Sequence, residues 1–386
     1  MDRTIIEAGL AEVLRTAWQA PELVLERVDE HRDRSAEAGQ PWLEVKYGPS
    51  GRRAWHGVVP VTVTTRSTPG ADPQRTKLAI KVNPVRGVGE TLIPWIVERA
   101  DIDLPRPYGS FRTTAEARAT GEREVHLYEL GQAVPALRAV LPPYLGRIDD
   151  PASGEHALVL GWVELDGLDA SGAHLDWPPH RLEAAARAAA CWHAALADHL
   201  EELSWAAPRP STADRVADAD LYAAVLEDAH RRFPEVVTDA VLRRRHALLD
   251  TLSSWHRAKD ELVATLAHND YNARNVGFAG PRPIALDWEI ARIDTPTRDL
   301  VELLTFGLGP GFDPDLFHTV VEAARSTLHE QGVPIDAERW RDAVRAEIRA
   351  EALDRVGMQS LFETEFALPY FTRIQTTVER LLDLTD

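Results

Sequence analysis

Residues 266–278 read LAHNDYNARNVGF, and this stretch holds three of the four asparagines in a chain of 386 residues. Its fixed points are His268, Asp270 and Asn275, and the apolar run PIALDW that follows carries a second carboxylate, Asp287. Phosphoryl transfer from a nucleotide asks little covalent help of a protein: a group to take the proton of the attacking hydroxyl, and oxygen ligands that hold magnesium against the phosphates. Magnesium favours hard oxygen donors and few protein ligands, with phosphate and water completing its shell. The pattern supplies Asp270 as base and Asn275 with Asp287 as metal ligands. A carboxamide coordinates a cation without adding another negative charge beside a polyphosphate, which explains an asparagine at position 275. Asn269 and Asn272 read first as turn residues, since asparagine bonds its own backbone. The competing interpretation of the whole stretch is a polar loop between helices.

The same chemistry needs a cation near the phosphates. Lysine is rare, occurring only as Lys46, Lys77, Lys81 and Lys259. Lys81 closes the apolar run KLAIK, and Glu124 in EREVHLYEL can fix it through an ion pair. Taken singly, Lys81 reads as an edge-strand lysine that discourages sheet pairing and Glu124 as a solvated helix position. With the downstream loop they read as a functional pair, Lys46 being the second choice for the lysine.

From Trp42 to Val82 the text alternates as strands, WLEVKYG, VVPVTVTT and KLAIKV, separated by turn-rich segments, which predicts an antiparallel meander. AEARATGEREVHLYELGQ predicts a helix ending near Gly131, and YLGRIDD and HALVLGWVEL predict two more strands. After Leu165 apolar residues recur at helical spacing, broken only by 267–289. The division is therefore 1–163, a nucleotide-binding part built on a sheet, and 164–386, a helical part carrying the catalytic loop and the acceptor site.

A net charge of -18 argues against nucleic-acid binding, which depends on basic side chains neutralising phosphates. One cysteine, Cys191, excludes an internal disulfide and thiolate metal sites. The amino terminus lacks the apolar core of a secretory signal, no run approaches bilayer length, and a reducing cytoplasm is the expected location. His193 and His268 are too isolated for a zinc site. RRRH at 243–246 reads as a solvated helix face, and ETEFALPYF, with Glu363, Glu365, Tyr370 and Phe371, reads first as helix packing and second as a substrate contact.

The order of LAIK, REVHLY, HNDYNARN, LDWE and RDLVELL resembles that of the aminoglycoside phosphotransferase and choline kinase family, from the first strand to Asp299. The resemblance implies an α+β, bilobal protein-kinase-like fold: an antiparallel-sheet amino-terminal lobe and a larger, mainly helical carboxyl-terminal lobe. It implies Mg2+ as cofactor, ATP or GTP as co-substrate, Asp270 as catalytic base, Asn275 and Asp287 as magnesium ligands, and Lys81 on the phosphates, paired to Glu124. His268 is then a structural brace of the catalytic loop and Asp299 a second one, while the backbone of Gly161, Trp162 and Val163 holds the base. Gly57 and the neighbouring arginines stand in the expected phosphate loop, GPSGRRAWHGVV, which departs from a glycine-dense protein-kinase loop. Trp288 stands where protein kinases carry Phe. The segment between Lys81 and Glu124 is long, and reads as a substrate flap or as packing. The acceptor implied is a hydroxyl of a small natural product such as an aminoglycoside-type antibiotic, an assignment tied to antibiotic resistance or natural-product biosynthesis. The alternatives are Ser or Thr of a precursor peptide in lanthipeptide-type maturation, and a non-catalytic binding module, against which the complete Lys, Glu, Asp, Asn and Asp set argues.

Overall fold

The structure, a computed structural model, describes residues 1–31, 57–83, 88–112, 120–173 and 175–385. The chain divides into two compact units, Met1–Leu92 with Arg118–Glu164, and Ile93–Ala117 with Leu165–Asp386. WLEVKYG, Lys46 and most of GPSGRRAWHGVV lie outside the described residues.

The first unit is a five-stranded antiparallel sheet, in the order β1-β2-β3-β5-β4, with β1 at Val24–Glu30, β2 at Gly57–Arg66, β3 at Gln74–Asn83, β4 at Tyr144–Asp149 and β5 at His156–Gly161. Period-two alternation sorts its two faces. Val59, Val61, Val63, Leu78, Ile80, Val82, Ala157 and Val159 form one apolar face, which packs with Ile6, Leu10 and Leu14 of helix α1 (Arg3–Ala17). The four-residue spacing of those three α1 positions gives the helix one apolar stripe, and Asp2 caps it by accepting from the Thr4 N–H. The opposite face carries Val58, Ala79, Lys81 and Asn83, with Val58 directly opposite Lys81 in the ladder. Helix α3, Thr120–Ala133, belongs to the same unit.

The sequence pattern predicted β2 to β5 but not β1. VLERVDE buries only Val28, so its side chains give almost no alternation to read. A second miss is helix α2, Val88–Ala100, which forms despite Pro94. The segment 93–112 groups with the second unit, where ion pairs tie it down: Arg99 Nε to Glu365 at 2.6 Å, and Arg106 to Asp220 at 3.1 Å. The Arg112 N–H adds a bond to Asp218 at 2.9 Å.

The second unit is helical around two small antiparallel ribbons, β6 (Thr265–Ala267) with β9 (Arg292–Asp294), and β7 (Val276–Ala279) with β8 (Arg282–Ala285). Its main helices are α4 (Pro179–Leu196), α5 (Ala219–Arg232), α6 (Asp239–Asp250), α7 (Thr297–Gly307), α8 (Pro314–Glu330), α9 (Ala337–Leu353), α10 (Arg355–Phe366) and α11 (Phe371–Thr385). Every residue of α7 is buried, the charged Arg298, Asp299 and Glu302 included. The RRRH segment corrects the expected solvated face: Arg245 is buried, its guanidinium bonding Gln375 at 2.7 Å and Glu379 at 2.9 Å. Arg244 reaches Asp383 of the same helix at 2.6 Å, and charge alone cannot reveal that a later helix supplies partners for two arginines of three. No helix among the described residues is long and apolar enough to cross a membrane.

Segment 165–168 lies tightly on β7 through a two-bond bridge between Asp166 and Phe278, at 2.9 and 2.8 Å. Gly277 permits that approach, because a Cβ there would stand 2.8 Å from the Leu165 Cβ and 3.0 Å from the Leu168 Cβ. Both obstructing atoms are attached directly to backbone and cannot rotate away. We expect Gly277→Ala to destabilise the second unit by about 1–3 kcal/mol, read as a lower midpoint in chemical denaturation; an unchanged midpoint contradicts this packing.

Candidate functional site

The first unit places Lys81 and Glu124 together. The Lys81 Nζ lies 2.6 Å from the Glu124 Oε2, and both residues are buried. The same carboxylate oxygen accepts from the Asn83 Nδ2 at 3.1 Å, and that amide also reaches the Gly121 carbonyl at 3.4 Å. Asn83 follows Lys81 by two residues and so projects from the same face of β3. The chain's fourth asparagine therefore holds the partner of its candidate phosphate lysine. Sequence reasoning passed over Asn83, although the rarity of asparagine marked it. Breaking a buried ion pair of this kind costs about 3–5 kcal/mol, because one charge is left uncompensated.

At the end of β5, Gly161 donates its N–H to the Pro143 carbonyl at 2.8 Å. Trp162 is exposed, with its indole Nε1 donating to Glu164 Oε1 at 2.8 Å and Lys77 reaching the same oxygen at 3.1 Å. Val163 is half-buried. Gly57 opens β2 with a φ of 60°, a left-handed conformation that costs glycine nothing.

In the second unit the loop 268–275 is held from below by one carboxylate. Asp299, in the first turn of α7, accepts the backbone N–H groups of His268 and Asn269, each at 2.8 Å. Burial opposes the charge on Asp299; His193, with Nε2 at 3.4 Å, and the backbone N–H of His268 outweigh it and leave the carboxyl below its ordinary range. His268 donates from Nε2 to the Leu286 carbonyl at 2.9 Å, and its Nδ1 accepts the Asp270 N–H at 3.3 Å. A carbonyl can only accept, so this pattern fixes the neutral tautomer with the proton on Nε2. The imidazole packs 4.3 Å from the Trp288 ring, which with Trp192 and Tyr271 makes an aromatic floor.

Both ends of the site use left-handed backbone, at Asn269 (φ 68°) and Asp287 (φ 61°). Asparagine and aspartate tolerate this conformation better than other side chains. Asn269 does more than turn the chain, since its Oδ1 accepts from Arg298 Nε at 3.0 Å and its amide bonds the Ile290 carbonyl at 3.2 Å. Asn272 exceeds its turn reading too. Its Oδ1 accepts the Arg274 N–H at 3.0 Å, while its amide bridges Asp270 Oδ1 at 2.8 Å and Glu302 Oε1 at 2.9 Å.

Asp270 is fixed on both oxygens. Oδ1 accepts from Asn272 and from the guanidinium of Arg355, the first residue of α10, and Oδ2 accepts from Asn275 Nδ2 at 2.8 Å. Burial pushes this carboxyl up, yet Arg355, Arg274 and the Asn275 amide pull harder and hold it below the usual carboxylate range. Arg355 also contacts Glu302, which Arg298 holds at 2.5 Å. Sequence reasoning missed Arg355 and Glu302. Glu302 had a signal, its four-residue spacing from Arg298; Arg355 is 85 residues from Asp270 and had none.

The β7–β8 hairpin brings the metal candidates together. Val276 pairs with Ala285, and the Leu286 N–H bonds the Asn275 carbonyl at 2.8 Å, so Asn275 and Asp287 flank the open end of one ribbon. Asn275 commits its amide nitrogen to Asp270, at the carbonyl (3.0 Å) and at Oδ2, which turns the carboxamide oxygen away from that carboxylate. One carboxamide oxygen and one carboxylate are a hard donor set of the size magnesium takes from proteins, so these residues fit the ion.

Around Arg298 the carboxylates of Glu302, Glu347 and Glu351 crowd one guanidinium. Burial pushes the Glu351 carboxyl up to about 8, Arg298 and Arg355 counteracting it only in part. Its Oε1 is buried with no hydrogen-bond partner.

A family model described as "Phosphotransferase enzyme family" matches residues 93–335, more than half of the chain. A search of curated proteins finds no significant match. Among solved structures, the GDP complex of wild-type aminoglycoside 2'-phosphotransferase-IIIa is similar at 13% identity and TM-score 0.46, covering 97% of each chain. Choline kinase from Cryptosporidium parvum Iowa II is similar at 9% identity and TM-score 0.46, covering 98% of this chain and 94% of that one. Macrolide 2'-phosphotransferase type I is similar at 13% identity and TM-score 0.44, covering 96% of each chain.

Two measurements test the site's electrostatics. Asp299→Asn replaces one acceptor oxygen by an NH2 that must face a backbone N–H, so we expect a loss of about 2–4 kcal/mol and faster amide exchange at His268 and Asn269; unchanged exchange contradicts the brace. For Glu351, the raised folded-state pKa means the native protein keeps a proton that the unfolded chain has released, so its contribution turns increasingly unfavourable as pH climbs from the unfolded value toward about 8. Glu351→Gln should therefore gain stability relative to the native sequence between pH 5 and 8, and a difference independent of pH refutes a protonated Glu351.

With the matched segment spanning the loop that holds Asp270, Asn275 and Asp287, the chain belongs to the phosphotransferase enzyme family and is an enzyme that phosphorylates hydroxyl groups.

Proposed function

We propose that the chain transfers the terminal phosphoryl group of ATP or GTP, with magnesium, to a hydroxyl of a small natural product, for which aminoglycoside-type antibiotics are the first class to test. The observation that supports this most is the restraint on Asp270. Asn272 and Arg355 occupy Oδ1, while Oδ2 takes a single bond from Asn275 and so has capacity for an acceptor hydroxyl. A carboxylate held below its usual range is a weak base at equilibrium. It suffices here, because the transition state of phosphoryl transfer is loose and the hydroxyl is chiefly to be oriented, its proton leaving late.

In this reading Asn275 and Asp287 hold the magnesium, which when bound neutralises charge on the phosphates. Lys81 contacts phosphate and Glu124, itself held by Asn83, keeps the ammonium aimed. His268 has both nitrogens committed to backbone partners and braces the loop without transferring a proton. The backbone at 161–163 holds the base. A binding module without activity has no physical need of so restrained a carboxylate.

Asp270→Ala should keep Mg-nucleotide affinity within a few-fold and lower turnover by at least about a thousand-fold; near-normal turnover excludes the base role. Asp287→Ala should abolish the magnesium dependence of nucleotide binding, measured by calorimetry, and an unchanged dependence excludes the metal assignment. The acceptor is read by incubating the protein with magnesium and either nucleotide against aminoglycosides and Ser/Thr-rich peptides, then weighing products for an added phosphoryl group. Phosphorylated sugar rings support the reading, and phosphoserine or phosphothreonine replaces the small molecule by a peptide.

A further inference from the structure

Arg274 is half-buried, and it differs from the buried arginines of the second unit. Arg215 lies 2.9 Å from Asp354, Arg245 2.8 Å from Glu379, Arg292 2.6 Å from Asp294 and Arg298 2.5 Å from Glu302. Arg274 has no carboxylate within ion-pair distance among the described residues. Its guanidinium lies over the Tyr370 ring, 4.9 Å from the centroid, and its Nε is buried without a hydrogen-bond partner. Desolvating a guanidinium donor without an acceptor is unfavourable, and an aromatic face offsets only part of that.

The second cation is Arg355. It bonds Asp270 through Nη2 and Glu302 through Nε, which uses two of a guanidinium's five donors, and its side chain is 24% exposed. The Arg274 N–H bonds Asn272 Oδ1 at 3.0 Å, and the Asn272 amide bonds the same Asp270 Oδ1 that Arg355 holds, so both arginines stand beside one carboxylate. We infer that Arg274 and Arg355, backed by Tyr370, form a subsite beside Asp270 for an anionic oxygen group, phosphate or carboxylate. Arginine suits such a ligand because its planar fork matches two oxygens of one group.

Two sources carry that chemistry. One is the terminal phosphate of the nucleotide, where the arginines would stabilise charge on the transferring group. The other is an anionic substituent next to the acceptor hydroxyl. The inference rests on the proposed phosphotransfer only for the first source; the anion subsite itself is measurable without nucleotide.

The test uses the full chain and isothermal calorimetry at constant ionic strength, with chloride as the control anion. Magnesium complexes of ADP and GDP are compared with their non-hydrolysable triphosphate analogues. Inorganic phosphate and glycerol 3-phosphate are titrated separately, with and without the diphosphate. A triphosphate preference that falls at least tenfold in Arg274→Met and partly returns in Arg274→Lys supports the subsite and assigns it to the nucleotide. Phosphate or glycerol 3-phosphate binding that is lost in Arg274→Met, with the triphosphate preference kept, supports it and assigns it to the acceptor. If neither quantity moves more than twofold in a variant that melts like the native protein, the inference is overturned. It is overturned equally if the native protein shows neither triphosphate preference nor anion binding. Should Arg274→Met fail to fold, protection of Arg274 in the native protein from phenylglyoxal by inorganic phosphate, read by peptide mass, gives the same decision, absence of protection overturning it. A native protein that binds phosphate but no magnesium nucleotide sinks the proposed function and leaves the subsite standing.

Discussion

A single buried carboxylate, Asp299, organises the second unit's site. It accepts from two successive backbone N–H groups, those of His268 and Asn269, at the point where the chain leaves β6. Without those bonds two donors would be stranded in an apolar floor of Trp192, Tyr271 and Trp288, where each unsatisfied group costs about 1–3 kcal/mol. With them, Asn269 is held in its left-handed conformation and the next residue, Asp270, emerges in a fixed direction. Asp299 starts a helix that is buried on every side, so the restraint on the loop is inherited from the core.

From that anchor the charges are arranged in layers. Asp270 meets Arg355, Arg355 meets Glu302, Glu302 meets Arg298, and Arg298 meets Glu347 and Glu351. Such a network gives little net stability compared with apolar packing. What it gives is a carboxylate with one orientation and a charge that persists well below neutral pH, together with a cationic neighbourhood beside it. Those properties suit a group that orients a hydroxyl toward a polyanion better than one that must remove a proton outright.

The sequence carried the local parts of this arrangement and not the distant ones. The spacing of His268, Asp270, Asn275 and Asp287 was legible because a loop and its hairpin keep their residues together. Lys81 and Glu124 were legible because lysine is scarce and the helix follows the strand in order. β2 and β3 alternate over part of their length and β5 is a continuous apolar run, whereas β1 exposes most of its side chains and left no pattern. Arg355 could not be found, because nothing local to α10 distinguishes its first arginine from the others in an arginine-rich chain. Asn83 could have been, and so could the second functions of Asn269 and Asn272. All four asparagines of the chain bond other groups through their side chains, Asn83 in the first unit and Asn269, Asn272 and Asn275 in the second. A turn explanation accounts for the backbone of Asn269 and says nothing of its side chain.

The proposed function requires Asn275 and Asp287 to present oxygens to a magnesium ion carried by a nucleoside triphosphate, next to Asp270. A crystal structure with magnesium and a non-hydrolysable triphosphate tests it most directly. The account predicts density for an octahedral ion bound by the Asn275 carboxamide oxygen and the Asp287 carboxylate, at about 2.0–2.1 Å, with phosphate oxygens completing its shell. A nucleotide bound with its magnesium held by other side chains, and with the Asn275 carboxamide oxygen and the Asp287 carboxylate remote from the ion, would contradict it.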